Sequence, residues 1–119
     1  MRAYAAAIGD DSPAYPQSVD DVAGKIAPPT FAAVYALRAG SAMAGTGIPP
    51  YRLIHGEQEF EWSRPARVGE TLTSQGKIVA VEQKRNLTFV VAETRSRDEA
   101  GNEVCVSRAT IVVLPEQGR

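Results

Sequence analysis

The sequence predicts an α+β domain in which one central helix lies on a curved antiparallel sheet. Three observations carry this. Helix content, read from alanine-rich stretches and an apolar pattern of helical period, is concentrated in the first half of the chain. Three long runs rich in Val, Thr, Ile and Phe fill residues 70–114. Short turn signals join those runs one after another, as in a meander of hairpins.

Residues 1–9, Met-Arg-Ala-Tyr-Ala-Ala-Ala-Ile-Gly, favour a short helix that ends on Gly9. Asp10 to Pro16 combines two prolines with short polar side chains, which imposes a turn and makes it the first candidate functional loop. Ala27-Pro28-Pro29-Thr30 then sets up a second helix over 30–39, where Phe31, Val34, Tyr35 and Leu37 recur near helical spacing among alanines. That helix is apolar on nearly every side and is expected to be buried. Residues 40–50 hold three glycines and two adjacent prolines and read as a loop.

Beyond them the pattern turns to strand. Residues 57–62 alternate glutamate with Gln58, Phe60 and Trp62, predicting a half-buried strand that Arg64-Pro65 ends. Residues 70–82, 86–97 and 103–114 predict three further strands, separated by Gln83-Lys84-Arg85 and Asp98-Glu99-Ala100-Gly101. Asn86-Leu87-Thr88 matches a glycosylation acceptor but is read here as strand sequence. In the last run Val104, Val106, Thr110, Val112 and Leu114 share one face and Cys105, Ala109, Ile111 and Val113 the other. Both faces need cover, one from the helix and one from a neighbour.

At 119 residues the chain is expected to form a single domain over 1–119. A content of 44% hydrophobic and 23% charged residues excludes disorder and collagen-like order. The formal charge of −1 argues against binding to polyanions as a main role. One cysteine, Cys105, and one histidine, His55, rule out an intrachain disulfide and a zinc site of several Cys and His ligands. Cys105, among valines, reads as an inert small hydrophobe. No run approaches the ~18 apolar residues of a membrane span, and the N-terminus lacks a signal-peptide core, so a cytoplasmic location is expected.

Three segments in order resemble the N-terminal-type domain of the MaoC-like dehydratases, hot-dog enzymes acting on (3R)-hydroxyacyl thioesters. They are Tyr4 through Tyr15, Ala27-Pro28-Pro29-Thr30-Phe31, and His55 through Pro65 followed by Val68-Gly69-Glu70-Thr71-Leu72. The resemblance implies a hot-dog fold, an acyl thioester as ligand and an interface between subunits as the place it binds. It is strongest to the non-catalytic subunits of heterodimeric hydroxyacyl-carrier-protein dehydratases.

The family's catalytic members carry Asp-x-Asn-Pro-x-His, a carboxylate and an imidazole able to polarise one water. Here that stretch reads Asp10-Asp11-Ser12-Pro13-Ala14-Tyr15, with Tyr15 in the place of the histidine. A phenol of pKa ~10 is a poor proton shuttle near neutrality. Asp10 therefore stands as a catalytic candidate without its partner, and reads equally as a turn residue bonded to nearby N–H groups. His55 is the one imidazole that could replace the partner, against a structural role at the pocket mouth.

The expected substrate-binding set is Tyr15, Phe31, Gln58 and Arg64. Tyr15 is weighed against plain packing with its hydroxyl at the surface, and Arg64 and Arg67 against solvated turn-end charges instead of phosphate ligands. Arg95, Arg97 and Arg108 read as a solvated sheet edge. Ala32, Ala33, Ala36 and Ala39 are small enough to leave room for an acyl chain, and equally suit close helix–sheet packing.

The resemblance implies no cofactor beyond a substrate carried as a CoA or phosphopantetheine thioester. It implies a homodimer, or a heterodimer with a catalytic MaoC-like subunit, as the acyl-binding half of a hydro-lyase assembly. Relatives often carry a strand before the Tyr4 helix, and its absence would expose a sheet edge. A hot-dog thioesterase is an alternative, although its His-Gly usually precedes the central helix whereas His55-Gly56 follows it. An acyl-CoA-binding module without chemistry is another.

Overall fold

The computed structural model describes residues 1–39, 43 and 45–117. The predicted loop over 40–50 thus lies partly outside the described residues, as do the side chains of Leu37 and Ala39. Helix α1 spans Arg2–Ala7, and a 3-10 turn at Pro29–Phe31 leads into α2, Ala32–Ala39. A second 3-10 turn at Pro50–Arg52 precedes β1 (Leu53–Trp62), β2 (Thr73–Lys84), β3 (Leu87–Arg97) and β4 (Glu103–Val113). The strands form one antiparallel sheet in the order β1-β4-β3-β2.

The strand boundaries depart from the sequence pattern where the backbone departs from period two. β1 begins at Leu53 instead of Glu57, because a bulge at Gly56 takes the register from His55 opposite Ile111 to Glu57 opposite Thr110. A bulge shifts the inside–outside alternation and hides the residues before it from a periodicity search. β1 is also mostly exposed instead of half-buried, since it lies at an edge of the sheet. β2 runs on through Gln83 and Lys84, leaving Arg85 and Asn86 as the hairpin tip. Asn86 is therefore a turn residue and not part of a strand. Arg85 has a φ of 56°, the left-handed conformation that tight hairpins require.

Another irregularity sits between β3 and β4, where Ser96 pairs with Cys105 but Arg97 with Glu103. The extra residue, Val104, is completely buried and clusters with Ala27 and Ala66, against which Phe31, Tyr35 and Leu72 pack. Helix α2 rests on β2, β3 and β4 through Ala32 and Ala36, both fully buried. Small side chains let a helix axis approach a sheet closely. Phe31, Ala33, Val34 and Tyr35 are only half-buried, so the chain by itself covers one side of a helix expected to be enclosed.

On the sheet face away from α2, Glu93 is buried between Arg108, 3.0 Å away, and Arg95, at 2.8 Å. Arg95 also meets Glu103 at 2.5 Å, and Arg108 meets Glu59 at 3.7 Å. Arg95 and Arg108 thus belong to an ion-pair row across the two central strands, where the sequence suggested a solvated edge. Burial raises the Glu93 carboxyl, but the two guanidiniums outweigh it and hold it below the ordinary carboxylate range. Arg97 is exposed, at the end of β3.

Candidate active-site cavity

Three loops are laced together beside the end of β1. Ile26 N–H donates to Ala14 O at 3.0 Å, Ala27 N–H to Ala66 O at 2.8 Å, and Val68 N–H to Lys25 O at 3.0 Å. The prolines of these segments withdraw donors and fix φ, so the few remaining N–H groups set their register. Between the loops, α2 and β1 lies a cavity of about 410 Å³. Its walls include Tyr15, Pro28, Pro29, Tyr35, Trp62 and Arg64.

The loop from Asp10 to Tyr15 forms one end of this site. Asp10 Oδ1 accepts from Ser12 N–H at 3.1 Å, the turn-type contact expected of an Asp there, while the residue stays exposed. Gln17 Nε2 donates to the carbonyls of Ser12 and Tyr15, at 3.0 Å each, and locks the turn. Tyr15 is buried with 8% of its surface exposed. Burial raises its phenol above the ordinary value of 10, and the facing Asp10 carboxylate raises it further by charge and hydrogen bonding. The Asp10 carboxylate that its hydroxyl faces is itself exposed.

Arg64 is held by carboxylates. Its Nη1 donates to Glu70 Oε2 at 3.0 Å, its Nη2 to Glu70 Oε1, and Nη2 also to Asp98 Oδ2 at 3.2 Å. The guanidinium keeps its charge, and Arg64 holds the Glu70 carboxyl below its ordinary value against the opposing effect of burial. Asp98 is lowered first by the Asn102 N–H and also by Arg64. Arg64 therefore lines the cavity as the centre of a carboxylate cluster, unlike the solvated turn-end charge weighed from sequence. Arg67, one turn away, is exposed.

The other sequence-predicted residues separate in space. Phe31 packs at the core, edge-on to Tyr4 and Tyr35 with ring centroids 5.3 and 6.3 Å apart, and is not a cavity wall. Gln58 lies further along β1, its Nε2 donating to Ser107 Oγ at 2.7 Å and Arg108 O at 3.2 Å, while its buried Oε1 has no partner among the described residues. His55 is exposed at the opposite end of β1, its Nε2 3.1 Å from Glu57 O across the bulge. The structure thus joins Tyr15 and Arg64 in one cavity wall, with Asp10 exposed on the loop that carries Tyr15, and leaves Phe31, Gln58 and His55 outside that wall.

Sequence reasoning missed Trp62, Tyr35 and the Pro28-Pro29 pair as cavity walls. Trp62 was legible only as the last apolar residue of an alternating strand, and the wall it forms depends on loops far away in sequence. Tyr35 also contacts the Cys105 thiol. Burial, then that thiol, raises its phenol well above the usual range, and burial raises Cys105 in turn.

A family model described as "FAS1-like, dehydratase domain region" matches residues 1–107. The chain belongs to this FAS1-like dehydratase-domain family. The domain is 38% identical over 106 residues to a UPF0336 protein of Cutibacterium acnes, covering 87% of this chain and 70% of that one. Its fold matches a structure named MaoC-like dehydratase with a TM-score of 0.80 and 22% identity, over 97% of this chain and 37% of the other. It also matches the (3R)-hydroxyacyl-ACP dehydratase complex HadBC of Mycobacterium tuberculosis, with a TM-score of 0.71 and 22% identity over 93% of this chain and 82% of that one. The hot-dog fold and the MaoC-like resemblance of this FAS1-like dehydratase domain stand on these matches. Among its described residues no helix is long and apolar enough to cross a membrane.

Proposed function

We propose that this domain is the acyl-chain-binding, non-catalytic half of a hydratase–dehydratase assembly acting on (3R)-hydroxyacyl or trans-2-enoyl thioesters. The observation that carries the reading is Tyr15, buried in the cavity wall and facing Asp10. Removing water across C2–C3 needs a base for the C2 proton and an acid for the departing C3 hydroxyl. A phenol whose pKa is raised keeps its proton at neutral pH and cannot alternate between those roles. Asp10 is left as a lone carboxylate at the loop where the chemistry needs a pair.

The cavity walls favour binding. Pro28, Pro29, Tyr35 and Trp62 offer apolar surface to an acyl chain. Exposed Arg67 suits the phosphates of CoA or of a phosphopantetheine arm, while Arg64 is already committed to Glu70 and Asp98. The half-buried side of α2 and the 40% exposed Trp62 on the edge strand leave the site open toward a second hot-dog subunit, which supplies the imidazole.

The test assays crotonyl-CoA and longer trans-2-enoyl-CoA with the chain alone and with a hot-dog subunit carrying an intact Asp–His loop. Loss of a general acid–base group typically costs ~100-fold to 10,000-fold, so the chain alone should sit near background and the mixture should hydrate. Hydration by the isolated chain that Asp10→Asn abolishes would overturn the reading. Hydrolysis of acyl-CoA by the isolated chain would replace it with a thioesterase.

A further inference from the structure

β1 ends the sheet, with β4 on one side and no strand on the other among the described residues. From Glu57 to Trp62 its register against β4 is regular, which leaves an unpaired row of N–H and C=O groups able to accept another strand. The opposite edge, β2, is interrupted at its middle by the shift between Ile78 and Ala80, which disfavours a long pairing there.

The two faces of β1 differ. Gln58, Phe60 and Trp62 lie on the side of α2, with Phe60 and Trp62 rings 5.5 Å apart and Trp62 reaching into the cavity. Glu57, Glu59 and Glu61 project from the other side and are exposed. Of these, Glu59 meets Arg108 at 3.7 Å, and that arginine is already 3.0 Å from Glu93.

A second copy pairing here would continue the sheet antiparallel about a two-fold axis, and directly opposed residues share a face. Every register that overlaps residues 57–61 with the faces aligned then sets glutamate against glutamate: 57 against 57, 57 against 59, 59 against 59 with 57 against 61, 59 against 61, or 61 against 61. Opposed side chains approach to ~5 Å, where like charges are destabilising. The same row becomes an attraction if the incoming strand carries lysine or arginine at alternate positions on that face.

We propose that the β1 edge is built to reject a second copy of this chain and to take a partner strand with basic residues at alternate outward positions, closing the cavity beside Trp62. This rests on the proposed function in one respect, that the strand belongs to the second hot-dog subunit. The acidic row acts against the wrong pairing as well as for the right one.

The test reads association by sedimentation and native mass spectrometry, so its failure is distinct from a failure to hydrate. Wild-type chain should self-associate weakly, and raising salt from about 50 to about 500 mM should strengthen that association by screening. Glu57→Gln/Glu59→Gln/Glu61→Gln should strengthen it about tenfold or more. Wild type mixed with Glu57→Lys/Glu59→Lys/Glu61→Lys should give mixed dimers in excess of either homodimer, weakened by salt. The salt comparison needs no substitution, and circular dichroism checks that the variants fold. A tight wild-type dimer indifferent to salt and to the glutamine variant, or mixed dimers in merely statistical proportion, would overturn the proposal.

Discussion

Arg64 and Asp98 meet at 3.2 Å, Nη2 to Oδ2, and tie the cavity wall after β1 to the turn between β3 and β4. The same guanidinium holds Glu70, whose side chain is 15% exposed. Arg64→Ala leaves that carboxylate unpaired in a half-buried place and should lower unfolding stability by about 1–3 kcal/mol in urea titrations. Arg64→Lys should recover only part of the loss, because an ammonium cannot fork to two carboxylates.

Stability should decline in acid for a related reason. The Glu70, Glu93 and Asp98 carboxyls are lowered in the folded protein from ordinary values of 4.5, 4.5 and 3.8. A carboxyl lowered by folding contributes stability in full above its unfolded pKa, and that contribution disappears as pH falls through the folded value. Urea midpoints should therefore be level with respect to these groups from neutrality down to about pH 5 and drop below that. Glu93→Gln should flatten part of the drop, and a midpoint rising in acid would contradict the ion-pair assignments.

Tyr15 separates packing from chemistry. Its ring is buried, so Tyr15→Ala should cost roughly 3–5 kcal/mol, whereas Tyr15→Phe keeps the ring and should cost about 1 kcal/mol or less. Tyr15→Phe should also leave the hydration rate of the mixed assembly within a few-fold of wild type, since the phenol is assigned no proton transfer. A loss of about 100-fold with unchanged stability would make Tyr15 a working acid.

The alanines of α2 were read from sequence either as room for a ligand or as close packing, and the structure assigns Ala32 and Ala36 to packing. Ala36→Leu should destabilise by about 1–3 kcal/mol through overpacking against the sheet. Ala33, half-buried, should accept serine with a change within about 0.5 kcal/mol. Thermal unfolding of the two variants makes the comparison.

The linear pattern of residues determined much about this protein. Alanine content and proline starts located both helices, β-branched runs located β2, β3 and β4, and Asp10 through Tyr15 declared a loop lacking its imidazole. These are local properties, written in composition and in the period of side chains along a strand or helix. The tertiary structure decided the rest. Bulges at Gly56 and Val104 displaced side chains from a strict alternation, Arg64 found Asp98 34 residues away, and Trp62 became a cavity wall because three proline-bearing loops close beside it. It also made β1 an edge and β3 and β4 the centre, which turned Glu57, Glu59 and Glu61 outward into solvent and buried Glu93 between two arginines. Strand order and loop closure depend on contacts between distant segments, and the sequence spacing of one segment carries no record of which neighbour it will meet.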